Sequence, residues 1–139
     1  LFCKYKCSIT GIDISTASLE KARHHEIYDD LQCCDLQQPS LPFDTSRFDA
    51  AASVGVMTYI AEPRVLLTDL CRIVKPGGHI LFTHRDDRWK EQGFDALMKE
   101  LEASGIWRLL DISEPRPYLP RNAEFGDDIK VVFAFSQVR

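Results

Sequence analysis

The stretch SITGIDIS, residues 8–15, closes a short apolar segment with an acid, Asp13, and then a serine suited to cap a helix. In α/β proteins that bind nucleotides, an acid in this position binds a ribose, because its two oxygens can face two neighbouring hydroxyls. Asp13 is therefore a candidate ribose-binding residue, and the alternative is an acid that only caps the following helix. The glycine-rich loop that usually precedes such an acid is not seen in residues 1–7, LFCKYKC.

Three more groups of candidate residues follow predicted strands: Asp35, the segment from Ser53 to Tyr59, and His84. Because ligands bind at the carboxyl ends of parallel strands, we expect these groups and Asp13 to line one edge of a sheet. His84 is the nearest candidate general base, although it also suits an ordinary polar residue that starts a loop. The alternative for Asp35 is a solvated turn residue, and Tyr59 suits either a pocket or a half-buried core position.

Alternating strands and helices are predicted to position these residues. Strands are predicted at 8–14, 31–36, 48–56, 79–84, 107–112 and 129–138, and helices after Ser15, from Pro63, and over 89–104. The small apolar run at 48–56 is typical of a central parallel strand that is covered on both faces. The order predicts a single α/β domain over residues 1–139, with a mostly parallel sheet and a C-terminal antiparallel hairpin.

Composition limits the class of partner. The 139 residues carry a net charge of −4, which argues against a protein that neutralises nucleic-acid phosphates and favours a small-molecule partner, with a protein partner possible. The apolar runs are too short to span a bilayer, so no membrane partner is expected. Five cysteines without a C-x-x-C pair predict reduced thiols in a cytoplasmic protein, with no metal site.

Four blocks in order carry a family resemblance: GIDIS, CDLQQPSLPF, FDAAASVGVMTYI and LCRIVKPGGHILFTHR. Together they resemble the class I S-adenosylmethionine-dependent methyltransferases over about residues 8–85. KARHHEIYDDL and residues 89–107 further resemble the methyltransferase-like protein of the Williams–Beuren region and its relatives. The resemblance implies a doubly wound, Rossmann-like fold with S-adenosylmethionine as cofactor.

The resemblance also implies adenosine-binding roles for two pairs of residues. Asp13 would accept hydrogen bonds from both ribose hydroxyls, and Ile14 would pack on the adenine face. Asp35 would accept from the adenine amino group, while the backbone N–H of Leu36 meets a ring nitrogen.

The methyl-transfer end of the predicted site involves a second set. Ser53 and Val54 would lie under the methionine portion, Tyr59 would line the acceptor pocket, and His84 would serve as base where one is needed. In-line displacement at a sulfonium depends mainly on alignment, so a base is optional. The glycines of Lys75-Pro76-Gly77-Gly78 are expected only to turn the chain tightly into the next strand.

In the family, a first strand and its glycine-rich turn precede this region, and that strand pairs between the second and fourth. Residues 1–7 match neither. We therefore expect residues 1–139 to be a partial methyltransferase domain that binds cofactor weakly by itself, with strand edges unpaired at the centre of the sheet. One alternative function is a truncated or degenerate methyltransferase fold that acts as a non-catalytic binding module. The other is an NAD-dependent oxidoreductase, which also binds a ribose with an acid.

Overall fold

A computed structural model describes residues 7–38, 40–120 and 128–139. The chain forms two compact units, of which the first ends at Leu41 and the second begins at Pro42. No helix in the described part of the chain is long and apolar enough to cross a membrane.

The first unit is a strand–helix–strand arrangement. Its elements are β1 (Thr10–Asp13), α1 (Thr16–Arg23) and β2 (Asp30–Cys33). β1 and β2 pair in parallel, with Asp13 opposite Cys33 at the carboxyl end. The predicted cap of α1 is confirmed, since the hydroxyl of Ser15 accepts a hydrogen bond of 3.2 Å from the amide of Ser18.

The second unit contains a five-stranded sheet and three helices. The elements are β3 (Phe48–Ser53), α2 (Pro63–Ile73), β4 (Val74–Arg85), α3 (Asp86–Trp89), α4 (Phe94–Ala103), β5 (Trp107–Ile112), β6 (Arg116–Pro117) and β7 (Lys130–Val138). The strand order is β3-β4-β7-β5, with β6 pairing with β7. β3 and β4 are parallel, whereas all pairings of β7 are antiparallel, which confirms the predicted antiparallel C-terminal strands.

One face of this sheet forms the core of the second unit. Ile80, Phe82 and His84 of β4 lie on it, opposite buried residues of β7. The predicted inward residues of the helices are buried as well: Leu66, Leu70 and Ile73 of α2, and Phe94, Leu97, Met98 and Leu101 of α4. Pro63 is the first residue of α2, as expected from its fixed backbone angle and missing amide hydrogen.

Three predictions about the elements are corrected. β3 is an edge strand and none of its residues is fully buried, because in the described part of the chain it pairs with β4 alone. The predicted helix over 89–104 begins only at Phe94: α3 already ends at Trp89, and α4 follows Gly93, which takes a left-handed backbone angle (φ 69°). β2 ends at Cys33, earlier than predicted, so Asp35 lies in the turn beyond it.

Residues Lys75 to Gly78 join α2 to the paired part of β4. α2 ends at Ile73, before Lys75, and Gly77 has φ 82°. An added Cβ at Gly78 would lie 2.6 Å from the carbonyl oxygen of Asp49, so the backbones approach too closely for a side chain. These glycines thus have a backbone role, although they lie inside β4 and not in a turn before it as predicted.

The described residues form two sheets that share no strand pairing. β1 pairs with β2 alone and β3 with β4 alone, so each has one edge without a partner in the described part of the chain.

Candidate functional site

Asp13 ends β1 with one carboxylate oxygen engaged and one available. Its Oδ1 accepts a hydrogen bond of 2.7 Å from the amide of Ser15. Oδ2 has no hydrogen-bond partner among the described residues. The carboxylate therefore stabilises the turn before α1, as the alternative reading proposed, and still offers an oxygen to a ligand.

Asp35 lies just beyond β2, at the same edge as Asp13. The amide of Cys34 donates a hydrogen bond of 3.0 Å to the carbonyl of Asp13, which continues the parallel pairing of β1 and β2 past their ends. Oδ1 of Asp35 accepts from the amide of Gln37 at 2.9 Å. Asp13 thus ends β1 and Asp35 lies in the turn after the neighbouring strand, and each is oriented by a backbone amide two residues further on.

Two of the predicted adenine contacts, Ile14 and Leu36, differ in how far their side chains are exposed. The side chain of Ile14 is 65% exposed, and its carbonyl oxygen lies 3.5 Å from the thiol sulfur of Cys33. Leu36 is partly buried. A largely exposed isoleucine next to Asp13 is a surface on which a flat ring could pack, so these residues suit an adenosine.

A separate depression of about 250 Å³ lies elsewhere in the first unit. Its lining is formed by Arg23, Tyr28, Asp29, Asp30 and Leu31. Asp30 and Leu31 begin β2, so this depression is at the amino end of the strands. It does not involve Asp13 or Asp35, and the carboxyl edge stays the predicted site.

In the second unit, Ser53 and Val54 lie where β3 ends. The hydroxyl oxygen of Ser53 is buried and has no hydrogen-bond partner among the described residues. Val54 is 57% exposed. A buried hydroxyl without a partner is destabilising by itself, so Ser53 is chemically suited to bind a ligand.

His84, the predicted base, is buried in the core of the second unit and is 1% exposed. Its Nδ1 lies 2.8 Å from the carbonyl oxygen of Arg85, and its Nε2 lies 2.7 Å from Oε1 of Gln92. The imidazole also packs on Phe94, with ring centroids 4.1 Å apart. His84 is thus a strand residue with two protein partners and does not start a loop. These contacts favour a structural role.

Tyr59 is 69% exposed, which excludes the alternative of a half-buried core tyrosine. It ends a 3₁₀ turn, Met57–Tyr59, and it forms a hydrogen bond with Arg85. Arg85 also donates two hydrogen bonds to Asp87, and these lower the pKa of that exposed carboxyl below its usual value. Tyr59 is therefore exposed but held by a neighbouring cation.

Sequence reasoning missed the residues that position the segment after β3. The hydroxyl of Thr83 accepts from the amide of Gly55 at 2.9 Å, and the hydroxyl of Thr58 accepts from the amide of Arg85 at 3.1 Å. Thr58 and Thr83 are both buried. Buried threonines at strand ends were the available signal, but their partners are distant in sequence.

A comparison with protein families gives a match over more than half of the chain. A family model described as "Methyltransferase domain" matches residues 1–82. Human methyltransferase-like protein 27 is 33% identical over 101 residues, which are 70% of this chain and 40% of that protein. The chain spans 32% to 51% of the length of three curated relatives that it matches.

Solved structures show the same fold. The cyclase SpnF has a TM-score of 0.71 at 21% identity, over 97% of this chain and 67% of SpnF. A geranyl diphosphate methyltransferase in complex with SAM has a TM-score of 0.70 at 13% identity, over 98% of this chain and 71% of that one. At these identities the likeness shows the Rossmann-like α/β fold alone, and the fold hosts both a cyclase and a methyltransferase.

Proposed function

Since the chain belongs to the class I S-adenosylmethionine-dependent methyltransferases, we propose that its residues bind S-adenosylmethionine and direct the methyl group to a small-molecule acceptor. The observation that carries this proposal is the hydrogen bond from the amide of Cys34 to the carbonyl of Asp13. This bond supports the proposal because it joins the residue before Asp35 to the end of β1, so that one nucleoside could contact both acids.

The first unit is proposed to recognise the adenosine. Oδ2 of Asp13 accepts from a ribose hydroxyl while Oδ1 stays bound to the amide of Ser15. Asp35 accepts from the adenine amino group, the amide of Leu36 donates to a ring nitrogen, and Ile14 packs on the ring. A charged acceptor makes these hydrogen bonds stronger than neutral ones.

The second unit is proposed to contact the methionine portion and the acceptor. S-adenosylmethionine supplies a methyl group that its positive sulfonium already activates, so this chain's residues mainly have to align and desolvate the reacting atoms. Ser53, with its buried unpartnered hydroxyl, and Val54 are the proposed contacts to the methionine portion. Tyr59, exposed beside Arg85, is the proposed acceptor contact.

A general base is not required for an acceptor that is already nucleophilic. His84 stays the predicted base for an acceptor that must lose a proton. In that role it would first have to break its contact with Gln92, since both ring nitrogens have protein partners.

The proposals for the methyl acceptor and for the cellular compartment are based on composition. A net charge of −4 supports a small molecule over a nucleic acid, and a protein acceptor stays possible under the same proposal. The thiols of Cys33 and Cys71, which form no disulfide among the described residues, support the proposed cytoplasmic location.

A truncated or degenerate methyltransferase fold that acts as a non-catalytic binding module is the second candidate. The match to less than half the length of human methyltransferase-like protein 27 keeps it open. An NAD-dependent oxidoreductase lacks comparable support among these matches.

Calorimetric titration of the full gene product separates the candidates. We expect S-adenosylhomocysteine and S-adenosylmethionine to bind, and NADH not to bind. Incubation with methyl-labelled donor and a small-molecule cell extract should then label an extractable product. Binding without transfer to small molecules or proteins would favour the binding module, and NADH binding alone would overturn the proposal.

A further inference from the structure

The hydroxyl of Tyr118 lies against Gly55, which is two residues after the end of β3. The backbone of Gly55 has φ 73°, and an added Cβ would overlap the hydroxyl oxygen of Tyr118 and lie 3.2 Å from the ring carbon that bears it. The absence of a side chain at Gly55 therefore makes room for the Tyr118 hydroxyl. No local sequence pattern links these two residues.

The backbone of Tyr118 is fixed by strand pairing. Residues 116 and 117 form β6, which pairs with Val131 and Lys130 of β7. The amide of Tyr118 itself donates a hydrogen bond of 2.9 Å to the carbonyl of Ile129. The tyrosine is thus presented by a hairpin that belongs to the five-stranded sheet.

The other side of the contact is also fixed. The amide of Gly55 donates to the hydroxyl of Thr83, which is 1% exposed. The hydroxyl of Ser53, at the end of β3, is buried without a hydrogen-bond partner in the described part of the chain. Tyr118 is partly buried as a residue, and its hydroxyl, which lies against Gly55, keeps access to solvent and therefore to a ligand.

We propose that Tyr118 is a donor-site residue whose hydroxyl binds the amino-acid end of the methyl donor, next to Ser53 and Val54. This inference rests on the function proposed above. A phenol can donate to the carboxylate of an amino acid and accept from its ammonium group, so it matches either charge at that end. Hydrogen bonds to charged groups are the stronger ones, and the hydroxyl has no competing protein partner.

The test compares two ligands on the full gene product by calorimetry. S-adenosylhomocysteine carries the amino-acid end, whereas 5′-methylthioadenosine keeps the adenosine and the sulfur but lacks that end. We expect Tyr118→Phe to lower the affinity for S-adenosylhomocysteine by about tenfold or more, since the substitution removes one hydrogen bond to a charged group. The affinity for 5′-methylthioadenosine should be unchanged. The melting temperature without ligand should stay the same, because no protein hydrogen bond is lost.

Tyr28→Phe is the matched control. The ring of Tyr28 also lies against a glycine, Gly11, with contacts of 3.0 Å to an added Cβ, but in the first unit. It should alter neither affinity. Unchanged affinity of Tyr118→Phe for S-adenosylhomocysteine, or equal losses for both ligands, would overturn the role of Tyr118 while leaving the proposed function intact. A wild type that binds neither ligand would overturn the proposed function, and this inference with it.

Discussion

The backbone amide of Cys34 donates a hydrogen bond of 3.0 Å to the carbonyl oxygen of Asp13. This bond joins the chain just after β2 to the last residue of β1, and Asp35 is the next residue along. The spacing of the two acids at the carboxyl edge is therefore set by backbone pairing. A ligand that spans a ribose and a base can meet one acid with each part.

Asp35 should decide how well the protein distinguishes adenine from hypoxanthine. The wild type is expected to bind S-adenosylhomocysteine more tightly than S-inosylhomocysteine, which replaces the amino group by an oxygen that cannot donate. In Asp35→Ala this preference should fall by about tenfold, the value of one hydrogen bond to a charged group. The ratio of the two dissociation constants, measured by calorimetry, is insensitive to a general loss of affinity.

Asp30→Ala provides the control for that experiment. Asp30 lies at the amino end of β2, where its carboxylate accepts from the side chain of Gln32 at 2.6 Å. Its replacement should leave the ratio as in the wild type. An undiminished adenine preference in Asp35→Ala would show that Asp35 is only a turn residue.

Cys71 should be a slowly reacting thiol in the folded protein. Burial raises its pKa to about 11, so very little of it is thiolate near neutral pH. The side chain of Cys33 is exposed. Iodoacetamide at pH 8, followed by peptide mass spectrometry, should modify Cys33 first and Cys71 only after denaturant is added. Equal rates for both thiols in the folded protein would contradict the burial of Cys71.

The same shift predicts a pH dependence of stability. The folded pKa of Cys71 lies above the unfolded value of 9.0, so its contribution to the free energy of unfolding is complete below about pH 9. That contribution is lost as the pH rises toward about 11. Between these values, wild-type protein should lose more stability than Cys71→Ala in urea unfolding, and parallel losses would contradict the shift.

The two tryptophans should differ in their tolerance of phenylalanine. The indole N–H of Trp89 donates to Asp95 at 2.7 Å, whereas that of Trp107 is buried without a hydrogen-bond partner among the described residues. Both substitutions remove the same ring atoms. Trp89→Phe also leaves the carboxylate of Asp95 without its donor. Trp107→Phe instead removes a buried N–H donor that has no acceptor among the described residues.

We therefore expect Trp89→Phe to lower the free energy of unfolding by about 1–3 kcal/mol more than Trp107→Phe. Urea unfolding followed by circular dichroism gives both values. Equal losses, or a larger loss at Trp107, would mean that the hydrogen bond of Trp89 adds no stability or that the indole of Trp107 finds a partner.

Local patterns predicted the helix that begins at Pro63, the cap at Ser15 and the inward residues of α4, because capping and helical periodicity act over a few residues. The prediction that β3 is covered on both faces was wrong, since none of its residues is fully buried. Small apolar residues are compatible with such cover, but they carry no information about what lies beside the strand.

The site was predictable only where it follows the ends of strands. Asp13 ends β1 as the sequence indicated, whereas Asp35 lies in the turn beyond β2, two residues later than the end of that strand. His84 lies near the end of its strand as predicted, and the alternative that it starts a loop was wrong, because β4 continues to Arg85 and His84 is buried. The contact between Tyr118 and Gly55 depends on a two-residue strand that contains a proline, and such a strand has no periodicity to detect.

The most direct test of the ribose assignment is the affinity of Asp13→Asn for S-adenosylhomocysteine, measured by calorimetry on the full gene product. Asparagine keeps an oxygen for the amide of Ser15, so folding should be unaffected. It loses the charge and the second acceptor, which are the features proposed to bind the ribose. The control is Asp29→Asn, because Asp29 also accepts a backbone amide at 2.7 Å, that of Ile9, and lines the depression elsewhere in the first unit. We predict more than about tenfold weaker binding for Asp13→Asn and no change for Asp29→Asn. A dissociation constant for Asp13→Asn equal to that of the wild type would contradict the assignment.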